Sequence, residues 1–207
     1  MFIQFRDNQA TLEDLVFVEN EAPVGGAIQA VFNVHAVDEG APRVMFDGNK
    51  VRPACTMRNA RLVNNKARQG GAIYFNGVPA AFQNITVLDN EAEQSGGGIM
   101  IVGGSVVLLV DANFTSNNAS HGGAMMVGAQ TMLHCVNCTF EENTAVEEGG
   151  GIRVLTQLYE AQPVALQCDI CYFRRNKAAL GGDSTARIPD PSTAEVSFRC
   201  LPCWLSR

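Results

Sequence analysis

The chain has 207 residues, of which 46% are hydrophobic and 17% charged, with a formal net charge of -6. That length suits one domain with a sizeable core, and the composition excludes disorder. The acidic balance, with no block of Lys or Arg, argues against a nucleic-acid groove, and the longest apolar run, Val106–Val110, is far too short to span a bilayer.

The first residues, Met1-Phe2-Ile3-Gln4-Phe5, lack the ordered charged and apolar regions of an export signal. They align instead with Ile73-Tyr74-Phe75, so the chain starts in the middle of a repeat. Phe5-Arg6-Asp7-Asn8-Gln9-Ala10 resembles half of that repeat, by coincidence or as a worn copy. The first complete copy is Phe17…Asn20-Glu21-Ala22…Gly25-Gly26-Ala27-Ile28. Then come Leu62…Asn65-Lys66-Ala67…Gly70-Gly71-Ala72-Ile73 and Val87…Asn90-Glu91-Ala92…Gly96-Gly97-Gly98-Ile99. Phe114…Asn117-Asn118-Ala119…Gly122-Gly123-Ala124-Met125 and Phe140…Asn143-Thr144-Ala145…Gly149-Gly150-Gly151-Ile152 continue the series. Phe173…Asn176-Lys177-Ala178…Gly181-Gly182-Asp183 ends it.

Successive motif Asn residues are 45, 25, 27, 26 and 33 positions apart. The middle spacings define a unit of roughly 26 residues, in the range of solenoids. The widest gap has room for an extra, degenerate coil, with Phe46-Asp47-Gly48-Asn49 as its trace, and the last gap for a loop around Leu155–Pro163. Between each Gly-Gly and the next Asn lie short apolar or β-branched runs, such as Ile85-Thr86-Val87-Leu88, bounded by Gly, Asn or Pro. These read as strands, and no helical period persists. The prediction is an all-β, right-handed, single-stranded parallel β-helix of about seven to eight coils over residues 1–187, with a Pro-containing tail at 188–207.

Each motif position has a physical reason in such a coil. Asn20, Asn65, Asn90, Asn117, Asn143 and Asn176 are expected to take a left-handed turn and to hydrogen-bond up and down the axis as a ladder. The Phe or Leu three residues earlier fills the interior, the Ala fits inside the bend, and the Gly pair permits positive φ. The motif reads as architecture, not as a catalytic device.

Phe17-Val18-Glu19-Asn20 with Gly25-Gly26-Ala27-Ile28 resembles the polymorphic outer-membrane protein repeat, known from chlamydial surface adhesins and seen in protist and algal surface proteins. Gly70-Gly71-Ala72-Ile73 and Phe140-Glu141-Glu142-Asn143 carry the same likeness, which covers about residues 1–185. The pattern departs at Leu62 and Val87, where Phe is absent, and at Gly181-Gly182-Asp183-Ser184, which looks like the end of the array. The resemblance implies a secreted or cell-surface module for adhesion or structure, a piece of a larger protein, meeting a surface protein or a glycan.

Six of the seven cysteines form C-x-x-C pairs: Cys135 with Cys138, Cys168 with Cys171, and Cys200 with Cys203. The first two pairs stand at the same distance from their motif Asn and so occupy equivalent places on consecutive coils. Three states compete: disulfides in an oxidising compartment, stacked buried thiols, and a zinc site with His134 as an extra ligand. Zinc is disfavoured because residues three apart on a strand point to opposite faces. Cys200-Leu201-Pro202-Cys203 resembles the start of a Cys-rich module, and Cys55 leaves the count odd.

Sequons at Asn84, Asn113 and Asn118 are candidate glycan sites, and Asn137, between two cysteines, is a weaker one. The rival to the adhesive reading is a pectate-lyase-like, polysaccharide-degrading β-helix, which needs acids clustered with Arg or Lys on adjacent coils. The densest acidic patch, Glu141-Glu142 with Glu147-Glu148, reads as a solvated turn. His121 reads as an exposed turn residue, and His35 and His134 have no partner at an interpretable spacing. No catalytic residue, metal site or cofactor is assigned.

Overall fold

The computed structural model describes residues 2–5, 10–32, 44–46, 49–51, 55–128, 130–155 and 165–180. Every regular element among them is a β-strand. The strands wind into three parallel sheets, one coil feeding the next, as a right-handed parallel β-helix. The first face follows each Gly-Gly and holds Phe2–Phe5, Ile28–Phe32, Ile73–Asn76, Ile99–Val102, Met125–Val127 and Ile152–Val154. The second face carries the longest strands, Cys55–Val63, Ala80–Leu88 and Val106–Thr115. On the outer coils it breaks into pairs: Ala10–Glu13 with Val16–Val18, Met132–Val136 with Thr139–Glu141, and Ala165–Asp169 with Tyr172–Arg174. The third face follows each motif Asn and runs from Glu21–Val24 through Lys66–Gln69, Glu91–Ser95, Asn118–His121 and Thr144–Glu148 to Lys177–Leu180.

The described residues make six coils, not seven or eight. The widest gap holds no extra coil. Cys55–Val63 pairs directly with both Ala10–Glu13 and Val16–Val18, so the first two coils touch with nothing between them. The added residues are an insertion between the first and second faces of the second coil. Within it Val44–Phe46 and Asn49–Val51 pair only with each other, antiparallel. Ala10 opposes Cys55 on the second face, so the half-motif that ends at Ala10 is a coincidence. Phe2–Phe5 pairs with Gln29–Phe32, as a start in mid-repeat requires. Residues 156–164 of the expected loop, the Gly181-Gly182 end of the last copy and the tail lie outside the described residues.

The expected amide ladder is present. Asn20 Nδ2 donates to Asn65 Oδ1 at 2.8 Å, Asn65 to Asn90 at 2.9 Å, Asn90 to Asn117 at 3.0 Å, Asn117 to Asn143 at 2.9 Å and Asn143 to Asn176 at 2.8 Å. Each acceptor oxygen also takes the backbone N–H of the preceding ladder Asn, as Asn143 Oδ1 does from Asn117 at 3.0 Å. The second Nδ2 hydrogen goes back to a carbonyl on the previous coil, Val87 O for Asn117 at 2.9 Å. From Asn65 to Asn143 every amide valence is filled in a dry interior, which is the condition for burying such a group without penalty.

One part of the motif's expected geometry is corrected. The ladder Asn residues do not take the left-handed turn; the residue before each does, at Glu19, Asn64, Asp89, Ser116, Glu142 and Arg175, with φ between 50° and 56°. That turn swings the following Asn inward. The glycine pair also divides its work. Gly96 has φ +66°, but Gly97 does not; a Cβ on Gly97 would run into Gly123 O and the backbone of Asn118 on the next coil. Only the first glycine is there for φ, and the second for close approach.

The interior is filled by columns. Leu62, Val87, Phe114, Phe140 and Phe173 are buried one above another, and the last three rings stack at 4.9 and 4.8 Å between centroids. Ala67, Ala92, Ala119 and Ala145 line the inside of the third face.

Two predictions follow from how these columns are held. Asn117→Ala strands the N–H donors of Asn90 in the interior and should cost about 3 kcal/mol, whereas Asn20→Ala, at a half-buried end, should cost about 1 kcal/mol. Urea unfolding followed by far-ultraviolet circular dichroism measures both. Gly97→Ala should destabilise far more than Gly104→Ala, which has positive φ but faces open space and costs about 1–2 kcal/mol.

Candidate functional site

The third face presents its outward side chains coil by coil. Lys66 lies in register with Glu21 on one side and Glu91 on the other. Its ammonium meets Glu91 Oε2 at 2.7 Å, and both side chains are about half exposed. The Glu91 carboxylate, first by hydrogen bond and then by charge, raises the Lys66 pKa above the ordinary lysine value. Glu21, Ala22, Pro23, Lys66, Ala67, Arg68, Glu91 and Glu93 together line an open groove of about 750 Å³.

This groove gathers acids and bases on three adjacent coils, an arrangement the sequence reading did not find. The signal was present in the residue after each motif Asn, which reads Glu21, Lys66, Glu91, Asn118, Thr144 and Lys177. Chemically the groove offers exposed charges of both signs to an extended ligand.

The acidic patch proposed from sequence is dispersed into ion pairs. Arg175 Nη2 reaches Glu141 at 2.6 Å and Glu142 at 2.9 Å. Glu148 pairs with Arg153 at 2.9 Å, and Glu147 stands 3.6 Å from His121. His121 is a partly buried strand residue rather than an exposed turn residue. His134, taken from sequence to lack a partner, has one on the next coil: its Nε2 lies 2.7 Å from Asp169 Oδ2, which also accepts from Gln167 at 2.9 Å. The parallel register sets His134 beside Gln167, one coil away, a proximity invisible in linear spacing. His35 lies outside the described residues.

Cys55, Cys135, Cys138, Cys168 and Cys171 are buried free thiols in this structure, and Cys200 and Cys203 lie outside the described residues. Burial pushes the Cys55 thiol up to about 12, as for an inert core residue. The geometric objection to a shared cysteine cluster fails. Asn137 and Ile170 take φ of 53° and 56°, and this kink lets residues three apart both face inward. Cys135, Cys138, Cys168 and Cys171 are all fully shielded. Even so, among the described residues no group of three or more His, Cys, Asp or Glu is arranged to hold a metal ion.

The sequon residues Asn84, Asn113, Asn118 and Asn137 are exposed. Asn84 and Asn137 sit in the kink column, where Asn84 Nδ2 donates to Asn59 at 2.9 Å and Asn137 Nδ2 to Asp111 at 2.7 Å. No helix among the described residues is long and apolar enough to cross a membrane.

No curated protein and no solved structure matches the chain. The family model described as "Right handed beta helix region" matches residues 26–179, from the first Gly-Gly pair to the last described strand. The three parallel sheets, the repeat and that match together make the chain a member of the right-handed β-helix family.

Proposed function

We propose that the chain is a non-catalytic interaction module of a secreted or cell-surface protein, of the polymorphic outer-membrane repeat type, and that the third-face groove contacts its ligand. The observation that carries this reading is the in-register row Glu21, Lys66 and Glu91 along an open groove. Lys66 and Glu91 are about half exposed and paired with each other, which suits reversible contact with an extended polypeptide or glycan better than it suits a water-excluding active site. Exposed sequons at Asn84, Asn113 and Asn118 fit an extracellular chain.

A polysaccharide-degrading β-helix is the second reading, and the same groove favours it, because Glu91, Glu93 and Arg68 stand together on adjacent coils. Two measurements separate the readings. On a glycan and cell-surface protein array, the double variant Lys66→Glu, Arg68→Glu should weaken binding roughly tenfold, about 1.4 kcal/mol, with an unchanged β-sheet dichroism spectrum. On a polyuronide panel with and without calcium, no unsaturated-sugar absorbance should develop; its appearance would install the enzymatic reading instead.

A further inference from the structure

Four of the buried thiols form one cluster at the junction of the last two described coils. Cys135 and Cys168 are direct register partners on neighbouring parallel strands. Cys138 and Cys171 stand at the same offset, between the partners Val136 with Asp169 and Thr139 with Tyr172. The Tyr172 N–H donates to Cys138 O at 2.8 Å, so this second pair is held level too. The Cys171 thiol donates across the coils to Cys135 O at 3.6 Å, and all four sulfurs are buried in the same core. In the coils above, the same columns hold Met57, Phe82 and Leu109, and Ala60, Ile85 and Ala112. The cluster therefore puts thiols on two successive coils where the coils above carry other apolar side chains.

The kink that points these residues inward is retained under strain. On the other five coils Asp14, Asn59, Asn84, Asp111 and Asn137 occupy the left-handed position; on the sixth it is Ile170, a β-branched residue for which that conformation is a true outlier. Ile170 lies between Cys168 and Cys171, and losing the kink would turn one of the two outward.

We propose that under oxidising conditions these four thiols form two disulfides between coils, Cys135 with Cys168 and Cys138 with Cys171, stapling the sixth coil onto the fifth. Neighbouring strands lie about 4.8 Å apart, inside the Cα separation of about 4.4–6.8 Å that a disulfide accepts. A pair formed between coils closes the long stretch of chain from Cys135 to Cys168 or from Cys138 to Cys171, whereas a pair within one C-x-x-C closes only four residues and constrains the unfolded chain little. The chemistry balances with a low-molecular-weight disulfide as oxidant. A cysteine thiolate attacks one sulfur of that disulfide and expels a small thiolate. The partner cysteine then attacks the mixed disulfide and expels the second. Each protein bond formed costs the protein two protons and two electrons, and one small disulfide becomes two thiols.

The test refolds the reduced 207-residue chain in a glutathione redox buffer, alkylates the remaining thiols and maps tryptic peptides by mass. Cleavage after Arg153 separates Cys135 and Cys138 from Cys168 and Cys171, and no Lys or Arg lies within either C-x-x-C. The expected result is one linked species joining the two peptides, with four hydrogens lost. The double variant Cys135→Ala, Cys168→Ala should keep one link, and the diagonal variant Cys135→Ala, Cys171→Ala should keep none. Separate peptides, each lighter by two hydrogens, would replace the staple with bonds inside each C-x-x-C. A link that survives in the diagonal variant would refute the assigned connectivity. Four alkylated cysteines in the refolded wild-type chain would overturn the proposal outright.

Discussion

The hydrogen-bonded column of Asn side chains sets the terms for the rest of this fold. A primary amide has two donors and an oxygen that accepts twice, and in Asn65, Asn90, Asn117 and Asn143 all four are used. Asp lacks the donors, Ser has one, and Gln would place its amide a methylene too far from the backbone it must reach. Because each Asn bonds the coil on both sides, a slip of one residue between coils would leave buried polar groups unpaired across the stack. The register that stacks Phe on Phe and Ala on Ala is thus enforced by polar satisfaction, while the apolar columns supply most of the burial.

Much of this was legible because a solenoid repeats its solution. The Asn, the apolar residue three before it, the Ala two after it and the Gly pair are each under a separate constraint, so they recur together. The ladder, the strands and the interior columns were therefore readable from Asn20 to Asn176. The coil count was not, because an extra coil and an insertion within a coil lengthen the same gap. Only the pairing of Cys55–Val63 with Ala10–Glu13 distinguishes them. The left-handed residue was misplaced by one position. The side chain that bonds along the axis and the backbone that turns to aim it belong to neighbouring residues, and the turn itself tolerates Glu19, Ser116 and Arg175 as well as Asn64 and Asp89.

The kink in the second face was hidden by an assumption rather than by lack of signal. Six residues before each ladder Asn the sequence reads Asp14, Asn59, Asn84, Asp111, Asn137 and Ile170, five of them the types that best accept positive φ. Strict alternation along a strand overlooks this column. Once it is allowed for, Cys135 and Cys138 lie on one side, Asn84 and Asn137 lie outside, and a cysteine arrangement that strand geometry seemed to forbid becomes available.

The Asn ladder and the Ala column repeat on every coil, whereas the outward side chains of the third face do not. On the third face the residue after each Asn changes from Glu21 to Lys66, Glu91, Asn118, Thr144 and Lys177, although the Ala beside it never does. Stacking alone asks only that like charges not be neighbours about 4.8 Å apart, and the alternation of Glu21, Lys66 and Glu91 satisfies that. It does not ask for Arg68 and Glu93 to flank the same row. A solvent-exposed ion pair such as Lys66 with Glu91 contributes little to the fold, so a ligand loses little by breaking it. The same strand thus turns its Ala toward the interior and its charged residues toward the groove, so the fixed and the variable positions alternate along it.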